Sequence, residues 1–158
     1  MSIISTFRIK TSRGRDVMPN LRVFHHDPEN ETSGSEGAPV KKIIKILVVD
    51  DNPTIQIALT FALRSQKDFE ATVVGDSTKV MDLLRDGNFD VLITDTVMPD
   101  ITGPKLAEMA KQAHPDLKVL AMSDSYTSQA YEAGIADDFI AKPFNVGDLY
   151  NKIRGLVK

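Results

Sequence analysis

From Lys45 onward the chain alternates between short apolar runs and longer stretches with helical spacing. Ile46-Leu47-Val48-Val49 is an uninterrupted apolar run, mostly β-branched, which suits a strand buried on both faces of a parallel sheet. Asn52-Pro53 then supplies an N-cap and a proline at the first helical position. Ile55, Ala58, Leu59, Ala62 and Leu63 continue at helical spacing. The same reading predicts a strand over 70–74, a helix from Ser77 to Arg85 stopped near Gly87, and a strand Val91-Leu92-Ile93 ending at Thr94-Asp95. A helix from Pro104 to Gln112 and a strand from Leu117 to Met122, ending at Ser123, follow. The last elements are a short helix from Ser128 to Ala133 stopped by Gly134, a strand from Asp138 to Ala141, and a helix capped by Asn145 with Asp148 as its capping-box partner.

Five such alternations imply an α/β fold, a parallel sheet with helices on both faces. Right-handed crossovers narrow this to a doubly wound sheet. Residues 1–44 have a different texture. The stretch HHDPENETSGSEGAP, from His25 to Pro39, is polar and has no apolar period. The expected organisation is a flexible, largely disordered extension over 1–44 and one folded domain over 45–158.

Charge sharpens this division. Residues 1–44 hold seven Lys/Arg and five Asp/Glu, whereas residues 45–158 hold twelve and seventeen. The folded part is therefore acidic, and nothing in its charge calls for nucleic-acid binding. The chain has no Cys, which excludes disulfides, thiolate catalysis and cysteine zinc sites. No apolar run reaches the roughly 18 residues of a membrane span, and Met1–Lys10 lacks the apolar core of a secretory signal. A cytoplasmic protein with no membrane contact is the expectation.

In an open α/β sheet the site lies beyond the carboxyl ends of the strands. The predicted strand ends collect Asp50 and Asp51, Asp95, Ser123 and Lys142. Three carboxylates crowded together repel: at about 4 Å and an effective dielectric near 20, each pair costs on the order of 4 kcal/mol. Lys142 offsets part of this. A hard divalent cation would offset more, and Mg²⁺ takes few carboxylates and keeps places for water and phosphate oxygens. Phosphoryl transfer needs positioning and charge neutralisation, which a metal, an amine and a hydroxyl supply.

The segments ILVVDDNP, LITDTVMPDITG, VLAMSDS and FIAKPF, in this order and at strand ends, resemble the signature blocks of response-regulator receiver domains. The resemblance covers about Lys45 to Lys158. It implies a flavodoxin-like strand order of 2-1-3-4-5 and a magnesium-dependent phosphoacceptor module of a two-component or phosphorelay system. By this resemblance Asp95 is the phosphoacceptor. Asp51 binds Mg²⁺ directly, Asp50 acts through a bound water, and the backbone carbonyl of Val97 is a further ligand. Ser123 and Lys142 contact phosphoryl oxygens, Ser123 and Phe139 form the switch, and the Lys142-Pro143 bond is cis. The implied partners are a histidine kinase or phosphotransfer protein and a downstream protein that docks on the face of the fourth helix, fifth strand and fifth helix. Such a module is a signalling domain, with catalysis limited to its own phosphorylation and dephosphorylation.

Three positions depart from the family pattern or qualify it. Asp124 stands where a small residue is usual, and neither Val97 nor Ser125 is suited to position an attacking water, so a long-lived phosphoryl group is expected. The chain ends at Lys158, directly after the last helical pattern, so the expectation is a stand-alone receiver whose output is a protein contact or a phosphoryl hand-off. A receiver cut from a larger regulator is the alternative. A pseudo-receiver is disfavoured because all five site residues are present. An aspartate-nucleophile phosphatase would carry D-x-D after its first strand, where this chain has Asp50-Asp51-Asn52. Each site residue also has a structural reading: Asp50 and Asp51 as helix-capping acids, Asp95 as a turn residue, Ser123 as a strand-end hydroxyl, Lys142 as a solvated lysine, and Phe139 as plain core. His25, His26 and His114 carry no site role.

Overall fold

The computed structural model describes residues 42–124, 131 and 133–158. The expected N-terminal extension lies outside the described residues up to position 41, as do Ser125 and most of the expected helix Ser128 to Ala133. The strands are β1 (Ile44–Val49), β2 (Phe69–Val74), β3 (Val91–Asp95), β4 (Lys118–Ser123) and β5 (Asp138–Ala141). They form one sheet in the order β2-β1-β3-β4-β5, and every pairing is parallel. The described helices are α1 (Pro53–Arg64), α2 (Val80–Asp86), α3 (Gly103–Ala113) and α4 (Val146–Leu156).

Strand periodicity explains why helices cover both faces. Successive side chains point to opposite sides of a sheet, so an unbroken apolar strand feeds two cores. Leu47, Val49, Leu92, Val119 and Ala121 pack with Val80 and Leu84 of α2 and with Leu106, Ala107 and Ala110 of α3. Ile46, Val48, Val91, Ile93, Leu120 and Met122 pack on the other side with Leu59 and Leu63 of α1 and Leu149 and Ile153 of α4. Each core takes alternate residues of the same runs.

The helix starts follow their capping chemistry, with two refinements. Asn52 accepts from the Thr54 N–H at 2.9 Å, ahead of Pro53. Asn145 accepts from the Asp148 N–H at 2.8 Å. The Asp148 carboxylate closes this motif on the Asn145 side-chain amide, not on its backbone N–H as in the expected capping box. The helix expected from Ser77 begins differently. Ser77–Lys79 is a single 3₁₀ turn capped by Asp76, and the α-helix starts only at Val80. Ser77 is buried and its hydroxyl bonds elsewhere, so the first turn is set by tertiary contacts.

Two local devices fix the frame around the strand ends. Gly103 opens α3 hard against the end of β3, and a Cβ there would meet the Asp95 carbonyl oxygen at 2.0 Å and the Thr96 Cα at 2.8 Å. Both are backbone atoms, so a side chain at this position forces the strand end to move. At the opposite end of the sheet, Arg154 of α4 makes a two-pronged bond to Asp68, 2.9 Å on each oxygen, and lies 4.8 Å above the Phe69 ring. It bonds Gln66 as well, tying α4 to the turn that starts β2.

Gly103→Ala is expected to lower stability by about 2–3 kcal/mol, the scale of overpacking against atoms that cannot yield. Urea unfolding that leaves the midpoint unchanged would contradict the tight seat given to this glycine. Arg154→Met should cost about 2 kcal/mol, because it removes charge-assisted bonds from the buried Asp68 carboxylate. A loss below about 0.5 kcal/mol in the same measurement would demote the clamp to an ordinary surface pair.

Candidate phosphoacceptor and cation site

Register brings the polar strand ends to one level. Val49 pairs with Thr94, so Asp50 and Asp95 each stand one residue beyond the same rung. Asp95 pairs with Met122, and Ser123 pairs with Ala141, the residue before Lys142. The chain winds outward from β1 to β2 and then from β3 to β5, and the crevice of a doubly wound sheet opens where that direction reverses, between β1 and β3. Asp50 and Asp95 lie there.

Lys142 crosses the crevice. Its Nζ lies 2.9 Å from Asp50 Oδ2 and 3.2 Å from Asp95 Oδ1. Asp50 is fully buried, and its other oxygen accepts the Asn52 N–H at 2.9 Å. Asp95 is 8% exposed, and its Oδ1 also accepts the Thr96 N–H at 2.8 Å. Among the described residues no hydrogen bond reaches its Oδ2. Asp51 is exposed. One oxygen from each of Asp50, Asp51 and Asp95 can lie within 4.8 Å of the other two.

The electrostatics follow from burial and charge balance. Burial pushes the Asp95 carboxyl above its ordinary value, against the pull of the Lys142 charge and hydrogen bond, and the Asp50 carboxylate adds to the rise. Burial would lower the Lys142 amine, but bonds and charges from Asp50 and then Asp95 outweigh it and hold the amine above its ordinary value. Lys142 is therefore a fixed cation. Three carboxylates against one ammonium leave a formal excess of two negative charges, the charge of one divalent ion.

The donor set suits such an ion. All three side chains offer hard oxygens, and Mg²⁺ uses one or two carboxylates directly and keeps waters for the rest. A cluster with one exposed member, spread over several ångströms, meets that requirement better than a closed cage would.

The other expected site residues fall as follows. Ser123 is buried at the end of β4, and its carbonyl accepts the Lys142 N–H at 2.7 Å. The Lys142-Pro143 bond is cis. Val97 sits in the turn after β3 and is 76% exposed. Phe139 is half-buried against the α2–α3 core, with its ring centroid 5.1 Å from that of Tyr131 and 5.9 Å from Lys152 Nζ. Asp124 is exposed beside Ser123. His114 caps α3 through backbone bonds, consistent with the structural role expected of it.

Three contributors escaped the sequence reading. Gln56 donates its side-chain amide to the Asp50 carbonyl at 2.9 Å, and the bare backbone of Gly75 makes room for it. Thr94 donates its hydroxyl to the Asp95 carbonyl at 2.9 Å. Ser77 bonds the turn that follows Asp95. Only Gln56 had a usable signal, since it lies one helical turn beyond the Asn52 cap.

Comparison with known proteins agrees with this geometry. A family model described as "Response regulator receiver domain" matches residues 46–154. The probable transcriptional regulatory protein TcrX of Mycobacterium tuberculosis is 28% identical over 127 residues, covering 78% of this chain and 52% of that protein. The DNA-binding transcriptional regulator NtrC of Azospirillum brasilense is 35% identical over 112 residues, covering 68% of this chain and 23% of that protein. The chain thus matches about half of TcrX and about a quarter of NtrC. Among solved structures, a response regulator receiver domain protein from Clostridium thermocellum superposes with a TM-score of 0.67 at 26% identity, over 73% of this chain and 94% of that one. The response regulator TrrA from Thermotoga maritima, crystallised in complex with Mg(2+)-BeF, gives a TM-score of 0.66 at 27% identity, over 72% and 99%. Because the matched span runs from β1 into α4 and takes in every strand end of the crevice, the chain belongs to the response regulator receiver domain family.

Proposed function

We propose that this chain is a phosphoacceptor of a two-component or phosphorelay system, and that Asp95 receives the phosphoryl group. The observation that carries the reading is the asymmetry of Asp95. One of its oxygens is tied to Lys142 and the Thr96 N–H, while no hydrogen bond from the described residues reaches the other. The tethered oxygen orients the carboxylate, and the second is left to attack phosphorus. A new O–P bond forms there as the bond from phosphorus to the donor breaks, and the leaving group departs with the electron pair. Asp50 is less suited to the attack, because it is fully buried and bonded at both oxygens.

The cation in this reading is Mg²⁺, which Asp51, Asp95 and the Val97 carbonyl would hold directly and Asp50 through water. When bound, it supplies the charge that lets an anionic phosphoryl group approach three carboxylates. The residues do the rest. Lys142 neutralises a phosphoryl oxygen, Ser123 donates its hydroxyl to another, and Gly103 lets the helix start pack tightly behind Asp95. The phosphorylated state is read out by Ser123 and Phe139, at the face built from the expected fourth helix, β5 and α4. Moving such a switch from 1:99 to 99:1 takes roughly 5.5 kcal/mol of differential interaction, a size that charge-assisted bonds from Ser123 and Lys142 reach together.

The donor is a histidine kinase or phosphotransfer protein, and the target is a protein that recognises the switched face. Residues 45–158 carry an excess of five acidic groups and form the domain itself, which favours protein partners over direct nucleic-acid contact for this segment. A cytoplasmic setting fits this chemistry.

The test is incubation with acetyl phosphate followed by intact mass. One phosphoryl group should be added with Mg²⁺ present, none after chelation, and none on Asp95→Asn. A chain that takes up no phosphoryl from acetyl phosphate or from a kinase in the presence of Mg²⁺, or an Asp95→Asn variant that takes it up as well as the parent, would overturn the assignment.

A further inference from the structure

The segment between Asp95 and Gly103 contains a strained turn. Asp100 has φ 65°, the left-handed region that non-glycine residues enter rarely, with Asp among those that tolerate it best. The Ile101 N–H donates to the Pro99 carbonyl at 2.9 Å, closing a three-residue γ-turn around Asp100. With positive φ at its centre, this is the less favoured form of that turn. Strain of this kind persists only where the surroundings impose it.

Met98 and Ile101 pack on the α2–α3 core, and one buried hydroxyl bonds the turn itself. Ser77 Oγ donates to the Pro99 carbonyl at 3.2 Å and accepts the Ile101 N–H at 3.3 Å, so it touches both ends of the turn. Ser77 is 3% exposed and lies 22 and 24 residues away in sequence, in the 3₁₀ turn that follows β2. The same turn is anchored independently: Asp76 accepts the Thr78 N–H at 3.0 Å and pairs with Lys79. At its near end, the clipped segment carries Val97 and joins Asp95. At its far end it meets Gly103, whose N–H donates to the Thr96 carbonyl at 3.2 Å. The clip therefore acts on a short span of backbone held at both ends, by β3 and by the start of α3.

We propose that Ser77 is a positioning residue for the cation site: by clipping the Pro99–Ile101 turn, its hydroxyl holds the backbone after Asp95 in the shape that contributes to Mg²⁺ binding. This rests on the phosphoacceptor reading above. Ser77 touches neither the cation nor the phosphoryl group. It acts through the turn, so it governs how much Mg²⁺ is needed and leaves the chemistry at saturation alone.

The experiment measures Mg²⁺ binding to the unphosphorylated chain by isothermal titration calorimetry and, alongside it, the rate of phosphoryl uptake from acetyl phosphate across the same Mg²⁺ range, with the dissociation constant and the half-saturating concentration expected to move together. Ser77→Cys keeps the side-chain volume but bonds weakly, so the cavity penalty of a smaller residue is avoided. Its half-saturating Mg²⁺ concentration should rise about threefold to tenfold, the size of one net hydrogen bond, while the limiting rate stays within about twofold. Adding Asp100→Gly should recover part of the loss, because glycine takes positive φ without strain and needs the clip less. An unchanged half-saturating concentration in Ser77→Cys overturns the inference, as does a fall in limiting rate alone. If the parent itself takes up no phosphoryl at any Mg²⁺ concentration, the phosphoacceptor reading fails and this inference falls with it.

Discussion

The crevice depends on Lys142 standing between Asp50 and Asp95. Two carboxylates and an ammonium are withdrawn from water there, and each ion loses solvation worth several kcal/mol. The attractions between Lys142 and its two partners offset this, each on the order of 4 kcal/mol at about 4 Å and an effective dielectric near 20. The Asp50–Asp95 repulsion cancels one of them. Asp51, which is exposed and better screened, adds further negative charge at the rim. Such a cluster is balanced badly as it stands and well once two positive charges are added. That imbalance favours a divalent cation beside the three carboxylates.

The rest of the fold serves this cluster. Parallel pairing puts the ends of β1, β3, β4 and β5 along one edge, and the register sets Asp50 and Asp95 level with each other. Two apolar cores clamp the strands from either side, so the polar ends cannot drift without moving packed Leu, Ile and Val side chains. Gly103 packs against the irregular backbone between Asp95 and α3, and Ser77 bonds the turn within it. Rigid strands set the carboxylates, and a held turn sets the loop beside them.

Much of this was legible in the sequence, for a physical reason. A strand buried on both faces must be apolar throughout, so runs such as Ile46–Val49 and Val91–Ile93 announce themselves, and the acids that end them mark the crevice. Asn52-Pro53 and Asn145 announced helix starts because capping is a local interaction. What stayed hidden was long-range or depended on backbone angles. The Arg154–Asp68 clamp joins residues 86 apart. Ser77 looked like an ordinary first residue of a helix, and only the fold shows its hydroxyl spent on a turn 22 residues away. The positive φ at Asp100 has a faint signal, an Asp after Pro, but not one strong enough to separate a γ-turn from commoner turns.

The central claim is that the phosphoryl group resides on the strand-three carboxylate and not on either acid of the first strand. An acyl phosphate on aspartate is reduced by borohydride to homoserine, which leaves a permanent mark at the modified position. Phosphorylated chain treated in this way and mapped by peptide mass should carry homoserine at position 95 alone. Homoserine at position 50 or 51, or phosphate retained on a serine or histidine with position 95 unmodified, would contradict the account.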